Sequence, residues 1–285
     1  MRSKKRIVIT GASDGIGAAA ARRFRENGHD VVVVGRSPNK TRAVAEAIDA
    51  PYFLADYSRL DDVRSLAASL AEAYGRIDVL ANNAGGVFGA KTTTIDGFET
   101  TLQVNYLAPY LLTNLLLDTL IRSEATVIQT SSVAARLFGN VDLSDLNNDR
   151  RYTPHKAYGD AKLLNILFTR ELHNRFQRVG VSAAAFHPGF IRTGFAAESS
   201  SIIMRLVYRN PLVKGFLGTS ERGADQLAWL AEALPHDEWV PGNYFEAHAV
   251  ARRINPQGAD DDMARSLWTA SAEMLGLGTG VRHLG

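Results

Sequence analysis

Tyr158 and Lys162 stand four residues apart in Ala157-Tyr158-Gly159-Asp160-Ala161-Lys162, inside an apolar run with helical spacing. On a helix such a pair shares one face, one turn apart. An ammonium group beside a phenol favours the phenolate and draws the tyrosine pKa down from its usual value of about 10. Tyr158 is therefore a candidate acid and base for interconverting a carbonyl and an alcohol. The same pair also arises by chance on many helices, so the surrounding elements must decide its meaning.

Composition bounds the answer. The 285 residues allow one large domain or two small ones, and 46% hydrophobic with 22% charged residues describes an ordinary soluble globular protein. A net charge of +2 argues against both a nucleic-acid footprint and a dedicated membrane surface. No apolar run approaches the roughly 18 residues that span a bilayer. The basic start, Arg2 to Arg6, runs into a short apolar segment and reads as a solvated terminus, so a cytoplasmic protein without a membrane anchor is expected. The absence of cysteine excludes disulfides, thiolate metal sites and cysteine nucleophiles. The seven histidines show no metal-ligand spacing with a supporting carboxylate, so no metal site is expected.

The first half of the chain alternates strands and helices. Ile7-Val8-Ile9 leads into Thr10-Gly11-Ala12-Ser13-Asp14-Gly15-Ile16-Gly17, and a helical period then runs to Asn27-Gly28. A glycine turn feeding a helix N-terminus lets backbone approach a pyrophosphate and offers it unpaired N–H groups. A second strand, Val31 to Val34, ends at Arg36, where dinucleotide folds meet the adenosine ribose. A guanidinium there suits a 2′-phosphate, or it is a solvated loop arginine; with the glycine turn upstream, NADP(H) is favoured over NAD(H). A helix over 39–48 and a strand at Tyr52-Phe53-Leu54 follow. Asp56 then either accepts a hydrogen bond from the adenine amino group or starts the next turn. A helix over 60–74 precedes strand Ile77 to Ala81, which ends in Asn82-Asn83-Ala84-Gly85-Gly86. The alternation predicts an α/β fold with a parallel sheet covered on both faces, its ligand site beyond the strands' carboxyl ends.

The second half adds candidates. A long apolar helix is expected over 102–120, with Asn105 as either a satisfied core amide or a functional group. Strand Thr126 to Thr130 delivers Ser131-Ser132 into the same crevice, without the elbow or acid–histidine pair of a hydrolase triad. Residues 139–153 read as a polar surface loop. After the Tyr158 helix, strand Val181 to Phe186 ends at His187-Pro188-Gly189, with a structural role favoured for His187. The irregular apolar stretch 195–218 suggests a mobile lid or a peripheral helix. A helix capped by Ser220, a last strand over 242–246 and a terminal helix over 260–275 close a single domain without repeats or linkers.

Taken together, the glycine turn, Asn82-Asn83-Ala84-Gly85, Asn105, Ser132, Tyr158-x-x-x-Lys162 and His187-Pro188-Gly189 resemble the short-chain dehydrogenases/reductases in content and order, over nearly the whole chain. Asn105-Tyr106-Leu107, Lys162-Leu163-Leu164-Asn165, Leu167 to Leu172 and the polar insert before Tyr158 are similar to the retinol-dehydrogenase-like and WW-domain-oxidoreductase-like branch. The resemblance implies a Rossmann-type, doubly wound sheet. It implies that Tyr158 exchanges a proton with the substrate oxygen, Lys162 tunes Tyr158 and holds the nicotinamide ribose, Ser132 holds the oxygen, and Asn105 keeps a relay water. It further implies cofactor contacts from Gly11, Ser13, Asp14, Gly15, Ile16, Arg36, Asp56, Tyr57, Asn83, Ala84 and Gly85, with Pro188, Gly189, Ile191 and Thr193 over the nicotinamide. The lack of cysteine argues against the neighbouring light-dependent protochlorophyllide reductases.

The expected activity is NADP(H)-dependent interconversion of carbonyl and alcohol on a fairly apolar small molecule. A non-catalytic NADP(H)-sensing protein and, further off, a sugar-nucleotide epimerase or dehydratase are the alternatives. Neither nucleic acid nor a membrane is an expected partner; a homo-oligomer is allowed.

Overall fold

In the computed structural model, residues 3–189 and 219–277 are described. The β-branched run before the glycine turn forms β1 (Arg6–Thr10), and α1 (Gly15–Glu26), β2 (Asp30–Gly35), α2 (Pro38–Ala47), β3 (Tyr52–Leu54), α3 (Leu60–Ala73) and β4 (Val79–Asn82) follow. After α4 (Thr100–Leu102), a π-helical turn (Gln103–Leu107), α5 (Ala108–Leu115) and α6 (Leu117–Arg122) come β5 (Thr126–Thr130), α7 (Ala134–Leu137), α8 (Pro154–Phe176) and β6 (Ser182–His187). Beyond residue 218 lie α9 (Ser220–Glu232), β7 (Asn243–Glu246), β8 (Ala249–Val250) and α10 (Asp261–Met274).

The strands form one sheet in the order β3-β2-β1-β4-β5-β6-β7-β8, parallel except for the final β7–β8 pair. This is a doubly wound, Rossmann-type sheet whose order reverses between β1 and β4. Alternate strand residues serve opposite layers, as the two-residue period demands. Val8, Leu80, Val127 and Ala185 face α3, α5 and α8, whereas Ile7, Ile9, Ala81, Ile128 and Ala184 face α1, α2 and α9.

α8 is buried along most of its length, polar residues included, because both its sides are covered. One side lies on the sheet, and α10 lies on the other: the Trp268 ring is stacked 5.6 Å from Phe168 and lies 5.1 Å from Tyr110. Tyr110 Oη donates to the Trp268 carbonyl at 2.9 Å, and Arg170 pairs with Asp261. This covered helix carries the Tyr158–Lys162 pair.

Two sequence expectations need correction, and two gain detail. The helix expected over 102–120 is interrupted. Pro109 has no N–H to offer and its ring crowds the carbonyl four residues back, and the Ala108 N–H reaches the Gln103 carbonyl, five back. The chain also breaks at Leu116 before α6. Ser220 does not cap α9; it is the first helical residue, after Thr219. The last strand gains an antiparallel partner, β8, through a turn in which Ala247 and His248 both have positive φ. The 139–153 stretch is a loop, as read, but a pinned one: Asn140 N–H donates to Asp160 Oδ1 at 2.7 Å and Asn148 is buried. The lid read over 195–218 lies outside the described residues.

Trp268 is buried at the α8–α10 seam. Trp268→Ala is expected to cost about 3–5 kcal/mol of stability, the usual penalty for emptying such a site. Urea denaturation followed by circular dichroism measures it.

Candidate active site

The carboxyl ends of β1, β4 and β5 are tied together by Thr10 and Asn83. Thr10 Oγ1 accepts from the Asn83 and Ala84 N–H groups, each at 3.1 Å, and donates to the Ala81 carbonyl. Asn83 Nδ2 donates to the Thr10 and Gly11 carbonyls, and Thr130 Oγ1 donates to Asn83 Oδ1. Gly11 sits at φ +64°, and a Cβ there would lie 2.6 Å from Ala84 Cα. Only glycine lets the two loops touch, so this turn and the Asn83-Ala84-Gly85 segment form one surface.

That surface adjoins the N-terminus of α1, whose first turn carries no acidic residue. Asp14 caps the helix, accepting from Gly15 N–H at 2.7 Å, and Lys40 Nζ pairs with its other oxygen at 3.0 Å. The Lys40 ammonium, with the Gly15 amide, holds this carboxyl below its usual range. Ser13 and Ile16 lie half-buried in the same turn, and Arg36 is exposed just past β2. Lys40 thus joins Arg36 at the start of α2, and no short sequence pattern announces it. Thr10, by contrast, was legible as the residue opening the glycine turn.

Two expected cofactor residues also hold local structure. Asp56 Oδ1 accepts from the Ser58 N–H and hydroxyl, so Asp56 builds the turn into α3. Tyr57 is buried in the core, where burial pushes its phenol well up, and its carbonyl accepts from Gln103 Nε2. Its ring is packing, because the α3–α5 layer closes over it.

The catalytic candidates converge on one spot. Asn105 lies in the π-helical turn, a feature that often marks functional positions. Its Oδ1 accepts from Gly86 N–H, and its Nδ2 donates to the Gly86 and Thr101 carbonyls, all at 3.0 Å. A Cβ on Gly85 would come 2.5 Å from Asn105 Oδ1 and 3.3 Å from Lys162 Nζ. Gly85 therefore brings the β4 loop, the π-helical turn and α8 together. Ser132 follows β5 half-buried, and its Oγ accepts from Ala134 N–H at 3.2 Å. Its neighbour Ser131 donates to the Lys162 carbonyl at 2.7 Å, which ties the strand end to α8.

Tyr158 is half-buried on α8, with Lys162 Nζ 5.5 Å from its ring centroid. Lys162 Nζ donates to the Thr130 carbonyl at 2.9 Å. Burial brings the lysine pKa down to about 7. The charge read as acting on Tyr158 is thus itself poised near neutrality, because desolvation penalises an ammonium in the core. His187, brought to about 4 by burial and then by Arg136, is a neutral acceptor for Val133 N–H at 3.4 Å. It steadies the Ser132 loop, as its structural reading implied. Pro188 and Gly189 stand at the end of β6, half-buried and exposed respectively; Ile191 and Thr193 lie outside the described residues. Among the described residues no cluster of three potential ligands could hold a metal, and no helix is long and apolar enough to cross a membrane.

The sequence pattern of the short chain dehydrogenase family matches residues 5–202. A Streptomyces sp. (strain C5) protein named for a daunorubicin C-13 ketoreductase activity is 41% identical over 278 residues, 95% of this chain and 92% of that one. Human retinol dehydrogenase 12 is 35% identical, covering 96% of this chain and 87% of its own. Among solved structures, a Mycobacterium paratuberculosis protein of uncharacterised function superposes with a TM-score of 0.75. It has 29% identity and covers 96% and 94% of the two chains. The chain belongs to the short-chain dehydrogenases/reductases, in their retinol-dehydrogenase-like branch. It is accordingly an NAD(P)-dependent oxidoreductase that interconverts carbonyl and alcohol groups.

The pKa of Lys162 makes its cost to folding pH-dependent. Below about pH 7 the group is charged in both folded and unfolded chains, and the full penalty of burial is present. As pH rises toward its unfolded value of about 10.4 the folded chain sheds the proton first and the penalty fades. Lys162→Met should therefore melt above the wild type at pH 6, with the difference shrinking toward pH 10. Differential scanning calorimetry of the cofactor-free protein across that range checks the sign.

Proposed function

We propose that this protein is an NADP(H)-dependent reductase or dehydrogenase for a ketone, aldehyde or alcohol on a fairly apolar small molecule, with Tyr158 as general acid and base. One observation carries the reading. Tyr158, Lys162, Asn105 and Ser132, on three different elements, gather at the carboxyl ends of β4 and β5 beside the glycine turn.

The residues present fit a dinucleotide. Gly11 and Gly85 keep the β1 and β4 loops low where any Cβ would intrude. The N-terminus of α1, where the Asp14 cap has its charge paired by Lys40, offers backbone N–H groups that suit a pyrophosphate. Ser13, Gly15, Ile16, Asn83 and Ala84 would line that part, and Lys162 would hold the nicotinamide ribose. Arg36, exposed just past β2, supports a 2′-phosphate and hence NADP(H) over NAD(H). When bound, the nicotinamide supplies or accepts the hydride.

The chain's own groups handle the proton. Tyr158 Oη donates to the substrate oxygen in the reductive direction and takes the proton back in the oxidative one. The Ser132 hydroxyl donates a hydrogen bond to the same oxygen and orients it. The Lys162 ammonium stabilises negative charge on Tyr158. Asn105, fixed by Gly86 and Thr101, holds a water that resupplies the lysine. The substrate class rests on the relatives, whose names point to a polycyclic ketone and to retinol.

Daunorubicin and all-trans-retinal are the first substrates to test, with NADPH consumption as the readout. Tyr158→Phe is expected to lower turnover by about 10²- to 10⁴-fold, the usual share of general acid–base catalysis, while NADPH still binds. Near-normal turnover in that variant would refute the mechanism. NADPH binding without turnover across a broad carbonyl and alcohol panel would favour a sensing protein. Arg36→Ala should weaken NADPH binding about tenfold, in line with loss of one charge-assisted contact, and leave NADH unchanged. Fluorescence titration with both nucleotides measures this; equal losses would remove the case for the 2′-phosphate.

A further inference from the structure

A set of buried amides lies one helical turn beneath Lys162. β5 residues bond alternately to their two neighbours: Thr126 N–H reaches Asp78 on the β4 side, and Ser131 N–H reaches Phe186 on β6. Thr130, in phase with Thr126, turns its carbonyl toward β4. The β4–β5 register, however, ends one rung earlier, at Asn82 opposite Gln129. The Thr130 carbonyl is therefore spared by the ladder. Lys162 Nζ takes it at 2.9 Å, and Asn165 Nδ2, one turn along α8, shares it at 3.5 Å.

Asn82 and Gln129, in phase with Leu80 and Val127, face the same α5–α8 layer as Asn165. All three are at least 97% buried. Asn82 Nδ2 donates to Thr113 Oγ1 at 2.9 Å. Yet Asn82 Oδ1, Asn165 Oδ1 and both polar atoms of the Gln129 amide have no protein partner among the described residues. Buried amides are almost always satisfied, because an orphan loses its water hydrogen bond without gaining another. Asn82 and Gln129 hold complementary orphans, an acceptor and a donor, on facing rungs without pairing. One water serves three of these four atoms, one from each side chain: it accepts from Gln129 Nε2 and donates to Asn82 Oδ1 and Asn165 Oδ1.

We propose that Asn82, Gln129 and Asn165 enclose an ordered water beneath Lys162, and that Asn165, its amide oriented by that water, is a positioning residue for the lysine through the Thr130 carbonyl. With Oδ1 on the water, Nδ2 faces Thr130; rotated, the amide would set oxygen against oxygen and push the carbonyl away from Nζ. The positioning role rests on the reading of Lys162 as the ribose-holding group; the water site does not.

The two parts have separate tests. A crystal structure of the full chain at about 1.5 Å should show a water in contact with the three side chains. A dry site, or Gln129 bonded directly to Asn82, would overturn the water. For the role, NADPH dissociation constants are measured by fluorescence for wild type, Asn165→Leu, Lys162→Met and the double variant. Asn165→Leu alone should weaken binding about three- to tenfold, and should add no further loss in the Lys162→Met background. Independent, multiplying losses, or no loss in the single variant, would overturn the positioning role. Should Asn165→Leu fail to fold, Gln129→Met completes the same cycle with the same expectation. If wild-type protein bound no NADPH, the functional reading and the role toward Lys162 would fall together, and the water would still be decided by the electron density.

Discussion

The bond from Lys162 Nζ to the Thr130 carbonyl joins the helix that carries the chemistry to the edge of the sheet that shapes the crevice. It exists because β4 stops one rung before β5 and leaves a backbone acceptor uncommitted. A lysine can be fully buried only where such an acceptor waits, since an ammonium in the core without a partner costs several kcal/mol. Its reach places Nζ beside Gly85 and Asn105 and over the Tyr158 ring. Ser131 answers with a bond back to the Lys162 carbonyl, so strand end and helix hold each other from both directions.

The rest of the architecture keeps that joint still. α8 is clamped between the sheet and α10, with aromatic packing of Trp268 on Phe168 and Tyr110. The π-helical turn brings Asn105 to Gly86 at the point where Pro109 withholds an N–H. Thr10 and Asn83 bind the strand ends into one surface. Rigid elements of this kind hold reacting groups more closely than loops can, and small displacements are costly to catalysis.

Much of this was legible in the chain. The strands at Ile7, Val31 and Thr126 are short β-branched runs, the first two beside glycine turns, and local pattern suffices for such elements. Tyr158, Lys162, Asn105 and Ser132 could be named because each belongs to a motif. Motif reading named Asp56 and Tyr57 for a cofactor contact but could not show their structural work: Asp56 bonds within its own turn and the Tyr57 ring packs in the α3–α5 core. The interruption of the 102–120 helix falls at Pro109, a residue the apolar period does not take into account. Lys40 had no signal at all, because its pairing with Asp14 spans 26 residues of sequence and two elements.

Residue types and near-neighbour spacing determined the fold class, the order of its strands and helices along the chain, and the chemistry a tyrosine four residues before a lysine can do. These depend on interactions within a few residues, which one sequence contains in full. The tertiary structure decided that Lys162 is buried and poised near neutral pH, that its partner is the Thr130 carbonyl, and that the Asn82, Gln129 and Asn165 amides are buried with atoms left unpaired. Each of those facts depends on where one strand ends relative to its neighbour and on what a helix far along the chain covers. Register and burial are properties of distant segments brought together, and no local pattern encodes them.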